Sequence, residues 1–277
     1  MDARADSPAA HNNRVMVTMA LLEIAPGVEV VGDLPAVYVR RLNALVVADL
    51  HLGFEEEAAR QGYFIPRVQL LRSLDVVRRG LNETGAEWVI FAGDVKHSFS
   101  RLLPSEREEL SRLFQFLREE RRVRVTVVRG NHDNYLPIVA ERYGVEVVKE
   151  LYQDGILVVH GHRKPEGDYP GRVEVVIMGH EHPSLRLRDR LGFIAKLPAF
   201  LVAPYPRLQA ALVVLPAVGQ YQTGTSVTLS PDTYLSPILR EEVDLRKVKP
   251  YVLAEELGVL EFPELELLED LLAEVKL

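Results

Sequence analysis

Apolar residues follow two rhythms along this chain. In the first two-thirds, short unbroken apolar runs alternate with longer stretches whose apolar positions recur every three or four residues. Ala44 to Ala48, Glu87 to Ala92, Val123 to Val128, Ile156 to Val159 and Val173 to Met178 are the runs. They lack the polar alternation of a half-exposed strand, so they predict strands buried on both faces. Gly53 to Gln61 reads as an acidic helical turn or two. Pro66 opens a helix to about Leu81, with Leu70, Leu71, Leu74, Val77 and Leu81 on one face. Ser105 with Glu108 reads as a capping box for a helix to about Glu120, carrying Leu110, Leu113, Phe114 and Leu117 inward. Asn134 to Tyr143 predicts one more helix, closed by Gly144.

Before this alternation, Val15 to Ile24, Val28 to Val31 and Ala36 to Arg40 predict strands, and Val145 to Val148 predicts another. From about Ser184 the helical period disappears. Leu185 to Leu187, Gly192 to Ile194, Ala199 to Val202 and Ala210 to Leu215 read as β segments, followed by a Gly/Thr-rich loop from Gly219 to Ser226. Tyr251 to Leu253 and Val259 to Phe262 read as closing strands. Pro263 begins a last helix with Leu265, Leu267, Leu268, Leu271 and Leu272. The expected architecture is α/β, two stacked sheets with helices outside. Residues 1–13 read as a disordered tail and 14–277 as one domain, with 217–277 as an alternative C-terminal appendage.

In such folds ligands collect beyond the carboxyl ends of the strands. Here the strand ends are unusual. Ala44 to Ala48 runs into Asp49-Leu50-His51, and Glu87 to Ala92 into Gly93-Asp94-Val95-Lys96-His97. Val123 to Val128 runs into Arg129-Gly130-Asn131-His132-Asp133, Ile156 to Val159 into His160-Gly161-His162, and Val173 to Met178 into Gly179-His180-Glu181-His182. Of the eight histidines only His11 lies elsewhere. Side chains two apart in an extended segment face the same way, so Asp49 and His51 are expected to aim at one spot.

Composition narrows the chemistry. With 47% hydrophobic residues the chain can build a large core. It has no cysteine, which removes disulfides, thiolate ligands and cysteine nucleophiles. The remaining donors are carboxylates, an amide and imidazoles, which suit Mn²⁺, Fe²⁺, Zn²⁺ or Co²⁺. Seven such groups are too many for one tetrahedral ion. They suit two ions about 3.5–4 Å apart, which together clamp the attacking and leaving oxygens of an in-line displacement at phosphorus. The net charge of −7 means that an anionic substrate must be met by metal ions or a local basic patch. No apolar run approaches the roughly 18 residues of a membrane span, and residues 1–13 lack the apolar segment of a signal peptide. A cytoplasmic location is the expectation.

Taken in order, Asp49-x-His51, Gly93-Asp94, Gly130-Asn131-His132-Asp133, His160 and Gly179-His180-x-His182 resemble the motifs of the calcineurin-like metallophosphoesterases. Ala48 to Glu55, Gly93 to His97 and Ser236-Pro237-Ile238-Leu239 resemble the archaeal phosphoesterases related to the SbcD-type nuclease subunit. The resemblance implies an α/β/β/α sandwich of two mixed sheets flanked by helices. It implies two divalent ions, Mn²⁺ first, with Fe, Zn, Co or Ni as alternatives. One ion would be held by Asp49, His51, Asp94 and His182, the other by Asp94, Asn131, His160 and His180. Asp94 and a nucleophilic hydroxide would bridge them. His132 would stabilise the transition state or protonate the leaving oxygen, with Asp133 orienting its ring. His97, His162 and Arg129 are further candidates for substrate contact, and Glu181 reads as a solvated loop residue.

The resemblance also implies a phosphoester substrate. DNA or RNA is one reading, supported by Arg118, Arg121, Arg122 and Arg124 and by Arg186, Arg188 and Arg190, although acidic residues interleave both clusters. A nucleotide or other small phosphoester is the alternative, and a scaffold without catalysis is the third reading. Oligomeric state and protein partners are open.

Overall fold

The computed structural model describes residues 21–189, 192–222, 224–254 and 257–268. The expected tail at 1–13, the start of the first expected strand, and Leu271 and Leu272 lie outside the described residues.

Two sheets form the body. The first contains β1 (Leu22–Ala25), β2 (Val28–Val30), β3 (Ala36–Val39), β4 (Ala44–Val47), β5 (Trp88–Phe91), β6 (Arg124–Val128) and β7 (Glu146–Val148), side by side in chain order. β1 to β4 are antiparallel, and β4 to β7 are parallel. The parallel connections run through α1 (Phe54–Arg60), α2 (Gln69–Thr84), α3 (Pro104–Gln115) and the short α4 (Pro137–Ala140). The second sheet contains β8 (Leu151–Gln153), β9 (Ile156–Val158), β10 (Val175–Met178), β11 (Ser184–Asp189), β12 (Gly192–Tyr205), β13 (Ala210–Val214), β14 (Lys249–Ala254) and β15 (Gly258–Glu261). Its path is β15-β14-β12-β13-β10-β9-β8, with β11 pairing β12. α5 (Pro237–Glu241) lies in the connection from β13 to β14.

The unbroken apolar runs have a simple physical cause. Val46, Ile90, Val158, Ile177 and Val213 point into the core between the sheets. Their chain neighbours Leu45, Val47, Val89 and Phe91 pack against the helices of the first sheet. Leu157, Val176 and Leu212 pack on the outer side of the second sheet with Ile238 and Leu239 of α5. Each central strand therefore buries both faces, and the layers stack as an α/β/β/α sandwich.

Several local expectations are corrected. α2 starts at Gln69 rather than Pro66, because the buried carboxylate of Glu55 accepts from the amides of Val68 (2.8 Å) and Gln69 (2.9 Å) and caps the helix there. The buried face of α2 is Leu70, Ser73, Val77 and Leu81, and Leu71 is 62% exposed. The cap of α3 is not Ser105 with Glu108. Glu106 accepts from the amide of Leu103 at 2.7 Å, which places the cap two residues earlier. The segments Gly192 to Ile194 and Ala199 to Val202 are one 14-residue strand. It pairs β11 up to Pro198 and β14 from Ala199, so its polar interruptions mark the part that leaves the sandwich as a hairpin. The β8 strand and α5 were not expected. Ser236 caps α5 by accepting from Ile238 N at 3.2 Å.

Candidate metal centre

The loops leaving β4 and β5 lie against each other. Asp49 N donates to Gly93 O and His51 N to Asp94 O, both at 3.0 Å, and Leu52 N donates to Val95 O at 2.9 Å. This pairing brings the first two motifs together. The backbone is not extended there. Asp49 (φ 58°), His51 (φ 48°), Asp94 (φ 51°), His180 (φ 68°) and His182 (φ 47°) all occupy the left-handed region, which non-glycine residues rarely adopt. The expectation that Asp49 and His51 converge because their segment is extended is corrected. They converge because the turn and the neighbouring loop dictate it, at a conformational cost typical of functional sites.

Each carboxylate divides its work. Asp49 Oδ2 accepts from His180 N at 2.9 Å, and Asp94 Oδ1 accepts from His132 N at 2.9 Å. One oxygen thus pins the backbone of a distant loop and the other faces imidazoles. Asp49 Oδ1 lies 3.3 Å from His182 Nε2, and Asp94 Oδ2 lies 3.3 Å from His160 Nε2 and 3.9 Å from His51 Nε2. His51 and His182 bring their Nε2 atoms within 3.4 Å of each other. The ligand atoms of Asp49, His51 and His182 converge within 4.8 Å, and so do those of Asp94, His160 and His180. Asn131 Oδ1 joins the second group, 3.2 Å from His160 Nε2.

The donor set fits divalent cations. Asp49 Oδ1 is buried and accepts no hydrogen bond, an expensive state for a carboxylate oxygen with no cation to face. His160 Nδ1 donates to the carbonyl of Ala92 at 2.9 Å, which directs Nε2 at Asp94. Burial opposes a charge on His160, but Asp94 and Asp49 outweigh it and raise its pKa to about 9. A cation between these rings and carboxylates would take the place of such protons. Burial works against ionisation of Asp94, yet His160, His51 and His132 hold its carboxyl below the ordinary range. Burial depresses His51 well below its usual value, and burial followed by His160 depresses His180 to about 3, so these rings keep free nitrogen lone pairs.

Around this centre the structure corrects one expected role. Asp133 does not touch the His132 ring. It is fully buried, and its carboxylate accepts from the amides of Asp94 (2.8 Å), Gly130 (2.8 Å), Val95 (2.9 Å) and Lys96 (3.2 Å). It fastens the loop after β5 to the loop after β6. The partner of His132 Nδ1 is the carbonyl oxygen of His97, which leaves Nε2 facing Asp94 Oδ2 at 4.0 Å. His97 also sets its Nδ1 3.2 Å from His51 Nδ1 and stacks on His132 with ring centroids 5.5 Å apart. His162 lies beside His160, centroids 5.3 Å apart, and its Nδ1 is buried without a hydrogen bond. Arg129 donates to Asn134 Oδ1 at 2.6 Å and, among the described residues, to no carboxylate. Glu181 is not solvated. It is buried and accepts from the amides of Leu235 (3.0 Å) and Ser236 (2.9 Å), while Ser236 Oγ donates to Gly161 O at 2.7 Å. This fastens the start of α5 to the loops carrying His160 and His180.

Residues 42–184 match the sequence profile of the calcineurin-like phosphoesterases. The chain belongs to this family. It is accordingly a hydrolase of phosphoester bonds, in a family that works with divalent metal ions. Among solved structures it is similar to the nuclease MPE of Pseudomonas putida, at 24% identity over 85% of this chain and 94% of that one, with a TM-score of 0.57, a likeness of fold. It is also similar to Yfce, a phosphoesterase from E. coli, at 16% identity over 65% of this chain and 82% of that one, with a TM-score of 0.36. No curated protein matches it. Among the described residues no helix is long and apolar enough to cross a membrane.

Three arginines of the first cluster noted in the sequence have local tasks. Arg118 donates to the carbonyls of Val123 (2.8 Å) and Tyr143 (3.2 Å), Arg121 to Asn82 at 2.8 Å, and Arg124 lies 3.8 Å over the Trp88 ring and pairs with Glu146. The cations that line the cavity beside the candidate centre are instead Arg129, Lys149, Arg163 and Lys164. Of these, Arg129 is the one whose place beside the Gly130-Asn131-His132-Asp133 motif marks it in the sequence. Arg163 is adjacent to His162 in the chain, a signal that could have been used; Lys149 carries none.

Proposed function

We propose that this chain is a two-ion phosphodiesterase whose substrates include DNA or RNA strands. Asp49, His51, Asp94 and His182 would hold one ion, and Asp94, Asn131, His160 and His180 the other. The observation that carries the reading is Asp94 Oδ2, which lies within 4 Å of imidazole nitrogens from both groups and so is available to each. Two Mn²⁺ ions in these positions would polarise the phosphoryl oxygens and lower the pKa of water towards about 7. The chain's own residues do the rest. His132 donates a hydrogen bond from Nδ1 to the His97 carbonyl, which turns Nε2 towards the reacting group; when Nε2 also carries a proton, it can pass that proton to the leaving oxygen and return to the neutral ring. Asp133 keeps the loops that carry Asp94 and His132 in register through its four amide bonds. The resemblance to SbcD-related phosphoesterases supports a nucleic-acid substrate.

The test is hydrolysis of bis-p-nitrophenyl phosphate with and without Mn²⁺. Turnover should require the metal and vanish in Asp94→Ala. In His132→Ala, kcat should fall about 10²–10⁴-fold with metal binding retained. Absence of turnover with every divalent ion tried overturns the reading. A small phosphoester is the second reading, favoured by the net charge of −7. Turnover of nucleotides without turnover of oligonucleotides would select it.

A further inference from the structure

A cavity of about 290 Å³ opens beside the candidate centre, and Asn131 and His160, ligands in the second group, form part of its wall. That size is near the lower end of the roughly 300–1,000 Å³ usual for small-ligand sites, room for one unit flanking the reacting phosphate. Four cations line it. Lys164 is neutralised by Glu241 at 2.7 Å and Glu242 at 3.2 Å. Arg129 is bonded to a neutral amide. Lys149 and Arg163 have no ion-pair or hydrogen-bond partner among the described residues and are exposed. Two carboxylates also line the cavity. Glu150 is occupied by the Tyr169 hydroxyl at 2.6 Å and the Glu166 amide at 3.0 Å, and Glu166 is exposed. Phe99, 58% exposed, adds an aromatic face.

Unpaired lysine and arginine in an acidic protein, next to a phosphate-processing centre and an exposed aromatic ring, match what a nucleic-acid strand presents after its reacting phosphate: another phosphate and a base with a stackable face. We infer that Lys149, Arg163 and Arg129 form a subsite for the phosphate adjacent to the scissile one in a single strand, with Phe99 as the stacking surface. This inference rests on the phosphodiesterase reading above and adds a path to it: the strand leaves the candidate centre past Asn131 and His160.

The test is binding of a short fluorescent oligothymidylate by the full chain, followed by anisotropy as salt is varied, for the wild type and for Lys149→Ala/Arg163→Ala. The double variant should bind about tenfold more weakly. Its log–log salt slope should shrink by about 1.4, since each single-strand phosphate contact contributes about 0.7. Arg163→Lys should keep the slope. Equal affinity and slope in wild type and double variant overturn the subsite. Displacement of the oligonucleotide by thymidine triphosphate at equal phosphate concentration overturns the strand assignment in favour of a small polyphosphate. Bis-p-nitrophenyl phosphate, which has no flanking phosphate, should be hydrolysed equally by wild type and double variant, and a loss in the double variant counts against a separate subsite. If the wild type fails to hydrolyse that diester, the two-ion reading falls, while the binding slopes still decide the subsite.

Discussion

The pair Lys96–Glu106 is fully buried at both ends, with Lys96 Nζ 3.7 Å from Glu106 Oε1. It organises the loop that carries His97. Lys96 Nζ donates to the carbonyl of Arg101 at 3.1 Å and also to that of Ser98, while Glu106 accepts from the amides of Leu103 (2.7 Å), Ser98 (2.5 Å) and His97 (3.1 Å). Burial pushes both groups towards neutrality, Lys96 down and Glu106 up, so desolvation consumes much of their attraction. Removing one partner is a different matter. Lys96→Met leaves a carboxylate buried without a countercharge, which costs about 3–5 kcal/mol. The three amide donors of Glu106 place this case near 3 kcal/mol, about 6–12 °C in Tm for a chain of this size. The assay is a double-mutant cycle by urea denaturation with Lys96→Met, Glu106→Gln and the double variant. The double variant should be more stable than the sum of the single losses by about 1 kcal/mol or more. Additivity within about 0.5 kcal/mol refutes the reasoning, because it would mean that each group acts through its backbone bonds alone.

Two further predictions rest on the geometry. At Gly93 (φ +91°) an added Cβ would lie 2.3 Å from His160 Nδ1. Gly93→Ala should therefore cost about 2–5 kcal/mol in denaturation and weaken metal binding, whereas Gly85→Ala, also left-handed at φ +67° but with open space, should cost only about 1–2 kcal/mol and leave metal binding unchanged. Burial raises the Glu109 carboxyl from 4.5 to about 7, so the folded chain holds a proton there that the unfolded chain releases. That contribution is complete below about pH 4.5 and is lost as pH rises through about 7. Relative to Glu109→Gln, the wild type should lose about 1–2 kcal/mol over that window, after allowing for partial exposure of the carboxyl. Parallel stability curves for the two proteins would contradict the shift.

The clustering of the candidate metal residues was legible because metal chemistry restricts residue type more tightly than packing does. Asp, Asn and His beyond successive buried strands have few other reasons to recur. The supporting contacts were less legible. Asp133 appears in the sequence as a neighbour of His132, but in the fold it serves four amides of the adjoining loops. Glu181 sits in a polar loop and has the composition of a solvated residue, yet it caps a segment more than fifty residues away. Leu71 belongs to an apolar helical face by spacing, but the face of α2 that packs on the sheet is the one carrying Leu70, Ser73, Val77 and Leu81, which leaves Leu71 exposed.

By itself the sequence determined the two-face-buried strands, the order in which they deliver their polar ends, and the donor types available there. These follow from side-chain chemistry and periodicity, which are local. Only the tertiary structure decided that one oxygen of each key carboxylate is spent on a distant backbone and the other left for the centre. It also decided that a backbone carbonyl, not Asp133, meets the His132 ring, and that Lys149 and Arg163 border the cavity. Those outcomes depend on which loops lie side by side once two sheets have stacked. Residues such as Asp49 and His180 are 131 positions apart when their hydrogen bond forms, a relation that no local pattern encodes.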